Sequence, residues 1–226
     1  MDAALDAGLS PVAAFVTASV ASSGAVSLRR LQTALAAADR PDHLHTVGER
    51  LCGQLANTRT PQGWIALFRL PPAMGGLMPL AVALDGVQDP GNVGAIARCL
   101  LAFGGAGSLL LTGPGTADPW SDKALRASAG AVLRLTHRAE DDLAAALDPG
   151  RTWWALQPRE GIRLGPGLLR APLGLVVGSE GAGVSAAVAR RCRGLTLAMP
   201  GPVESLNAAV AAGIALHAVT PPSSGS

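Results

Sequence analysis

Aromatic side chains make up only 3% of this 226-residue chain, and Lys123 is the sole lysine among 18 basic residues. Cores must therefore be built largely from Leu, Val and Ala, and with 49% hydrophobic residues the composition is that of a globular protein, not a disordered one. Cysteine is limited to Cys52, Cys99 and Cys192, far apart and without a CxxC pair to hold zinc or form a redox couple, which points to a reduced, cytoplasmic compartment. Long hydrophobic runs are missing too. The most apolar late stretch, SLNAAVAAGIALHAV, is too short and polar to span a bilayer, and the start, MDAALDAGLS, carries two Asp and no basic leader segment. A soluble protein without a membrane partner is expected.

Several chemistries lose their signatures in the same way. No GK[ST] is present for a Walker phosphate loop, and Val177 stands where a nucleophile elbow around Ser179 would need glycine. His43 and His45 form an isolated HxH, while His137 and His217 stand alone with no carboxylate or Cys cluster nearby in sequence, so no metal is expected. The formal charge is +2 and the isoelectric point about 8.7. An Arg-weighted excess allows RNA binding, but a GC-rich genome would leave the same bias.

What is present falls into two parts. Residues 1–70 mix a helical pattern, LRRLQTALAAA, with the strand-like runs AAFVT and GWIALF, as in a small α/β module. Residues 71–79 belong to a Pro, Gly and Met stretch without periodicity, which marks a connection. From 80 to 220 strand and helix alternate: LAVAL then NVGAIARCLLAF, SLLL then SDKALRASA, TWWALQ, LGLVV then VSAAVARR, LTLAM then SLNAAVAAGIALHAV. Such alternation implies a parallel sheet with helices on both faces, whose ligands sit beyond the C-terminal strand ends. The tail 221–226 has nothing apolar to anchor it and is expected to be disordered.

Three of the loops that follow strands are unusual. In LDGVQDPGNVGAIARCLLAFG, residues 84–104, Asn92 is a candidate helix N-cap and Gly104 a stop. Arg98 would face roughly as Gly94 and Ala95 do, small residues that leave room for an approaching group; a capped helix with one solvated Arg is the alternative. In LGLVVGSEGAGVS, residues 173–185, an apolar strand enters a glycine-rich loop carrying Glu180, where a ligand could come close to the backbone. In LTLAMPGPVESLNAAVAAG, residues 195–213, a Pro/Gly turn leads to Ser205 and Asn207 at a helix start, with Ser205 a candidate N-cap.

Together, these loops resemble the three motifs of the SpoU (TrmH) branch of the SPOUT methyltransferases. Asp89, Pro90, Gly91, Asn92, Gly94 and Arg98 carry the first, Gly178, Glu180, Gly181 and Gly183 the second, and Met199, Glu204, Ser205, Leu206 and Asn207 the third. The segment LRASAG, residues 125–130, is similar as well, and brings Arg126 and Ser128 in as RNA contacts beside Arg98. The resemblance implies an α/β fold with a mostly parallel sheet and a C-terminal trefoil knot, and a homodimer. It implies S-adenosyl-L-methionine held by Gly178, Leu197, Met199 and Leu206, and a reaction carried by Asn92, Arg98, Glu180, Ser205 and Asn207. That reaction is methyl transfer to a ribose 2'-hydroxyl, with ribosomal RNA expected before transfer RNA, and a non-catalytic RNA-binding relative as the reading from another class.

Residues 1–70 are similar to the family's ribosomal-protein-like RNA-binding domain through ALDAGLSPVAAFVT and Thr60, Pro61, Gln62 and Gly63. Measured against that pattern the small domain is expected to be incomplete, because the chain starts inside the helix that ALDAG ends. Ala198 also departs from the family, which commonly has Pro before the residue matched by Met199.

Overall fold

A computed structural model of the chain describes residues 1–56, 61–71 and 78–219. Thr60, the tail 221–226 and most of the connecting stretch lie outside the described residues. The chain divides into two compact units, Met1–Pro71 and Pro72–Ser226.

The first unit runs α1 (Asp2–Asp6), β1 (Pro11–Thr17), α2 (Ala18–Ser22), α3 (Val26–Ala37), β2 (Leu44–Val47), α4 (Glu49–Leu55) and β3 (Trp64–Phe68). Its sheet has the order β2-β1-β3, with β1 parallel to β2 and antiparallel to β3. Leu28, Leu31 and Leu35 recur at helical spacing and bury one face of α3, and Leu31 and Leu35 pack on Ala14 of β1. Thr17 ends β1 and caps α2 by accepting from the Val20 N–H at 3.4 Å.

The second unit runs β4 (Leu80–Asp85), α5 (Pro90–Gly104), β5 (Leu109–Thr112), α6 (Asp122–Ala127), β6 (Thr136–Ala139), α7 (Leu143–Ala146), β7 (Thr152–Leu156), β8 (Ile162–Arg163), β9 (Leu173–Gly178), α8 (Ala186–Ala189), β10 (Arg193–Thr196) and α9 (Ala208–Val219). These strands form one seven-stranded sheet, β6-β5-β4-β9-β7-β10-β8, and every neighbouring pair is parallel. After β9 the chain passes β7 and lays β10 between β7 and β8, two strands made earlier.

Both faces are covered, as the alternation of strand and helix implies. Leu80, Val82 and Leu84 of β4 join α5 and α9 in one core, while Ala81 and Ala83 point the other way into a second core closed by Leu143, Leu147 and Val188. A strand buried on both faces reads as a continuous apolar run, which is why LAVAL and LGLVV carry no alternation. Full burial of side chains such as Leu84, Leu110 and Leu175 contributes about 2 kcal/mol each.

Local signals within these elements differ from the sequence reading at four places. The cap of α5 is Asp89, not Asn92: its side chain accepts from the Gly91 N–H and Pro90 takes the first helical position. That frees Asn92 for another partner. The helix runs through Gly104 and stops at Gly105, whose φ is 77°. The last strand ends at Thr196, leaving Leu197, Ala198 and Met199 beyond it. The first turn of α9 is capped by Asn207, which accepts from Ala209 N–H at 2.9 Å and Val210 N–H at 3.2 Å; Ser205 is not the cap.

Candidate active site

Because the sheet is parallel, its strands deliver their following loops to one edge. Asp85, the last residue of β4, lies opposite Gly178, the last of β9, and Leu156 of β7 opposite Leu195 of β10. The first and second unusual loops therefore leave adjacent strands side by side. Asp85 also bonds directly to the second loop, its carboxylate accepting from the Ser185 N–H at 2.7 Å.

The three loops are joined by a run of side-chain hydrogen bonds. Asn207 Nδ2 donates to Asn92 Oδ1 at 3.0 Å, and Asn92 Nδ2 donates to Glu180 Oε1 at 2.8 Å. Glu180 Oε2 also accepts from the Gln88 N–H at 3.5 Å. One residue of each motif is thus tied to the next, and the run begins on the N-terminus of α9, where Asn207 caps the helix. Burial pushes the Glu180 carboxyl up, but the hydrogen bonds from Asn92 and from backbone N–H groups outweigh it and hold the group below its ordinary value.

The remaining residues of the first motif organise α6. A Cβ added at Gly94 would stand 2.4 Å from the Ala124 carbonyl oxygen and 2.7 Å from Ala127 Cβ. The room left by this glycine is taken by α6 of the same chain, not by a ligand. Lys123 of α6 donates to Asp89 Oδ1 at 2.7 Å, and with the Gly91 N–H it holds the Asp89 carboxyl below its usual range. Arg126 is exposed on α6, and Arg98 is exposed on α5 with no hydrogen bond or ion pair to its guanidinium among the described residues. Ser128 is placed otherwise than an RNA contact requires: it is buried, and its hydroxyl donates to the Leu125 carbonyl at 2.9 Å.

The glycine-rich loop closes on itself. Ser179 and Gly183 exchange backbone hydrogen bonds at 3.0 Å, and a Cβ on Gly178 would lie 2.1 Å from the Gly183 carbonyl carbon. Gly178 is therefore required by the turn itself, which carries Glu180 back toward Asn92. Burial pushes the thiol of Cys192 up to about 11, so it is no nucleophile at neutral pH.

A cleft of about 700 Å³ opens at the same edge. One wall is the segment beyond β10, with Leu197, Met199 and Glu204; the other is the loop after β7, with Arg159, Glu160 and Gly161. Leu197 and Met199 were expected in a binding role from sequence, but the loop after β7 was not. Its sequence QPREG has the single glycine Gly161 and not the several that mark its neighbours, although the rule that loops beyond parallel strands carry function applies to it equally. Gly178 and Leu206 do not line this cleft, and Ser205 and Leu206 are exposed beside it in sequence. No group of His, Cys, Asp and Glu suited to a metal ion occurs among the described residues, and no helix among them is long and apolar enough to cross a membrane.

Fold and site define an α/β protein with an all-parallel sheet whose C-terminal edge gathers three polar loops beside an open cleft. Residues 79–217 match the sequence profile of the SpoU rRNA Methylase family, and the chain belongs to that family. It is 39% identical over 163 residues to an uncharacterised tRNA/rRNA methyltransferase of Mycolicibacterium paratuberculosis, a match that covers 67% of this chain and 50% of the relative. The chain thus spans about half the length of the curated relatives it matches. Among solved structures, a protein from Porphyromonas gingivalis assigned to the TrmH family of RNA methyltransferases is similar at a TM-score of 0.73 and 28% identity, over 94% of this chain and 83% of that one. The SpoU methyltransferase AviRb of Streptomyces viridochromogenes, solved in complex with its cofactor AdoMet, shares the fold at a TM-score of 0.74 and 22% identity, over 96% and 84% of the two chains.

Proposed function

We propose that this protein transfers a methyl group from S-adenosyl-L-methionine to a ribose 2'-hydroxyl of structured RNA, with ribosomal RNA as the substrate class. The observation that carries the reading is the run Asn207–Asn92–Glu180, which locks the three motif loops into one site at the sheet edge. The cleft beside it suits a small cofactor in size, within the roughly 300–1,000 Å³ of ligand pockets. Its wall offers backbone groups of Leu197 to Met199 with apolar side chains, a donor set that fits a nucleoside more than a metal. Leu197 and Met199 line the cleft and would hold the cofactor there, Gly178 and Leu206, outside that lining, would act through the loops that carry them, and when bound the cofactor supplies an electrophilic methyl on a sulfonium.

In this reading Arg98 anchors the phosphate next to the target ribose and stabilises charge that develops on the attacking oxygen. A guanidinium holds its proton too firmly to be a good base, so positioning carries most of the rate. Asn92, Ser205 and Asn207 orient the ribose and its phosphate, and Glu180 fixes Asn92. Arg126 extends the basic surface along α6. The return of β10 between β7 and β8 supports a trefoil knot in this half, and the exposed Val210 and Ile214 of α9 support a homodimer. Residues 1–70 would steer the RNA as a ribosomal-protein-like domain, in a cytoplasmic protein.

Calorimetric titration with S-adenosyl-L-methionine, followed by transfer of labelled methyl to ribosomal RNA, tests the proposal. Arg98→Ala should bind the cofactor as the parent does and transfer nothing. Full transfer by that variant would remove Arg98 from the mechanism, and absence of cofactor binding by the parent would favour a non-catalytic RNA-binding protein.

A further inference from the structure

We propose that Thr196 is a positioning residue that sets the width of the cleft by clamping its two walls together. The inference rests on reading the cleft as the cofactor site. Thr196 is the last residue of β10, directly before the wall formed by Leu197 to Met199. Its hydroxyl turns to the opposite wall: Oγ1 donates to the Gln157 carbonyl at 3.2 Å and accepts from the Gly161 N–H at 2.9 Å. Its own carbonyl accepts from the Leu164 N–H at 2.8 Å, just past that wall. One side chain therefore holds the loop after β7 at both ends.

The loop does not adopt this shape by its own preference. Glu160 sits at φ 68°, a region that a residue with a side chain rarely occupies unless its surroundings impose it. At Gly161 an added Cβ would lie 2.6 Å from Thr196 Oγ1 and 2.8 Å from the carbonyl carbons of Gly194 and Leu195. The wall is drawn against the end of β10 as closely as a glycine allows: backbone bonds from the Gln157 N–H to the Leu195 carbonyl and from the Leu164 N–H to the Thr196 carbonyl hold its flanks, and the hydroxyl holds the turn between them. Valine has the same shape as threonine and can make neither bond.

The test uses the full chain with Thr196→Val and Thr196→Ser, titrated calorimetrically with S-adenosylhomocysteine and assayed for methyl transfer. Loss of two hydrogen bonds that order the wall should weaken S-adenosylhomocysteine about tenfold in the Val variant and by less than about twofold in the Ser variant. The cofactor KM should rise in parallel in the Val variant, with kcat changed by less than about threefold. Equal binding by the Val variant and the parent, or a fall in kcat without the rise in KM, overturns the clamp. Absence of binding by the parent overturns the cofactor reading and the clamp together, whereas parental binding with an unaffected Val variant overturns the clamp alone. Should the Val variant fail to fold, Thr196→Ala removes the same two hydrogen bonds without placing a methyl against their partners and is held to the same outcomes.

Discussion

Gly94→Ala offers the sharpest check on how the first motif is built. In an exposed helix this change would stabilise the chain by about 1 kcal/mol, since alanine is the better helix former. Here the new methyl would meet the Ala124 carbonyl oxygen at 2.4 Å, Ala127 Cβ at 2.7 Å and the Ser128 nitrogen at 2.9 Å. Two of those atoms are backbone, so relief requires α6 to move away from α5 by about 1 Å. Overpacking of that kind costs about 3 kcal/mol. Setting the propensity gain against it leaves a net loss of about 2 kcal/mol, or roughly 4–8 °C in Tm for a chain of this size. The displacement should also loosen Lys123 from Asp89, because Lys123 sits on α6 and Asp89 caps α5. Thermal unfolding followed by circular dichroism reads the outcome, and a Tm equal to or above that of the parent would refute the packing argument.

Gly178→Ala should be costlier at the site, by about 3 kcal/mol, because its methyl would fall 2.1 Å from the Gly183 carbonyl carbon and open the loop that carries Glu180; cofactor titration of the folded fraction should show binding lost, and intact binding would mean the turn can re-form another way. Glu180→Gln addresses pH. The folded carboxyl titrates below its ordinary value of about 4.3, so its contribution to stability is present above that value and fades as pH falls through the lower, folded one. Urea unfolding of parent and variant should therefore differ at about pH 6 and converge toward about pH 3; a gap that widens on acidification has the wrong sign for this mechanism.

Much of the second unit is legible in the sequence because burial on both faces leaves little ambiguity. LAVAL and LGLVV are strands since nothing else accommodates such runs between turn residues, and α5 and α9 follow from their length and periodicity. Short polar elements such as β2, β8 and α4 are set by what they pack or pair with, and no local pattern announces them. Helix starts failed for a related reason. Asp89 and Asn92 both suit an N-cap, and so do Ser205 and Asn207; the choice depends on which side chain reaches a first-turn N–H, and Pro90 settles it only once the turn is seen. LTLAM is apolar apart from Thr196 and so reads as strand throughout, but β7 and β8 end opposite Leu195 and Thr196 and leave Leu197 without a strand partner.

Motif residues in this chain serve the protein before they serve a ligand. Gly94 admits α6, Gly178 admits the turn at Gly183, Asn207 caps α9 and grips Asn92, and Asn92 grips Glu180. Each would be required at its position even if no substrate touched it, because a substituted glycine clashes with backbone and a truncated amide leaves its partners without a hydrogen bond. Motif matching therefore identifies the site without ranking its members by contact with RNA or cofactor. The ranking comes from what the fold leaves over. Arg98, Arg126 and Ser205 are exposed with side chains that have no polar partner among the described residues, and Leu197 and Met199 face the cleft. Substitution of these residues should alter binding or transfer with Tm nearly unchanged, whereas substitution of Gly94, Gly178 or Asn92 should lower both together.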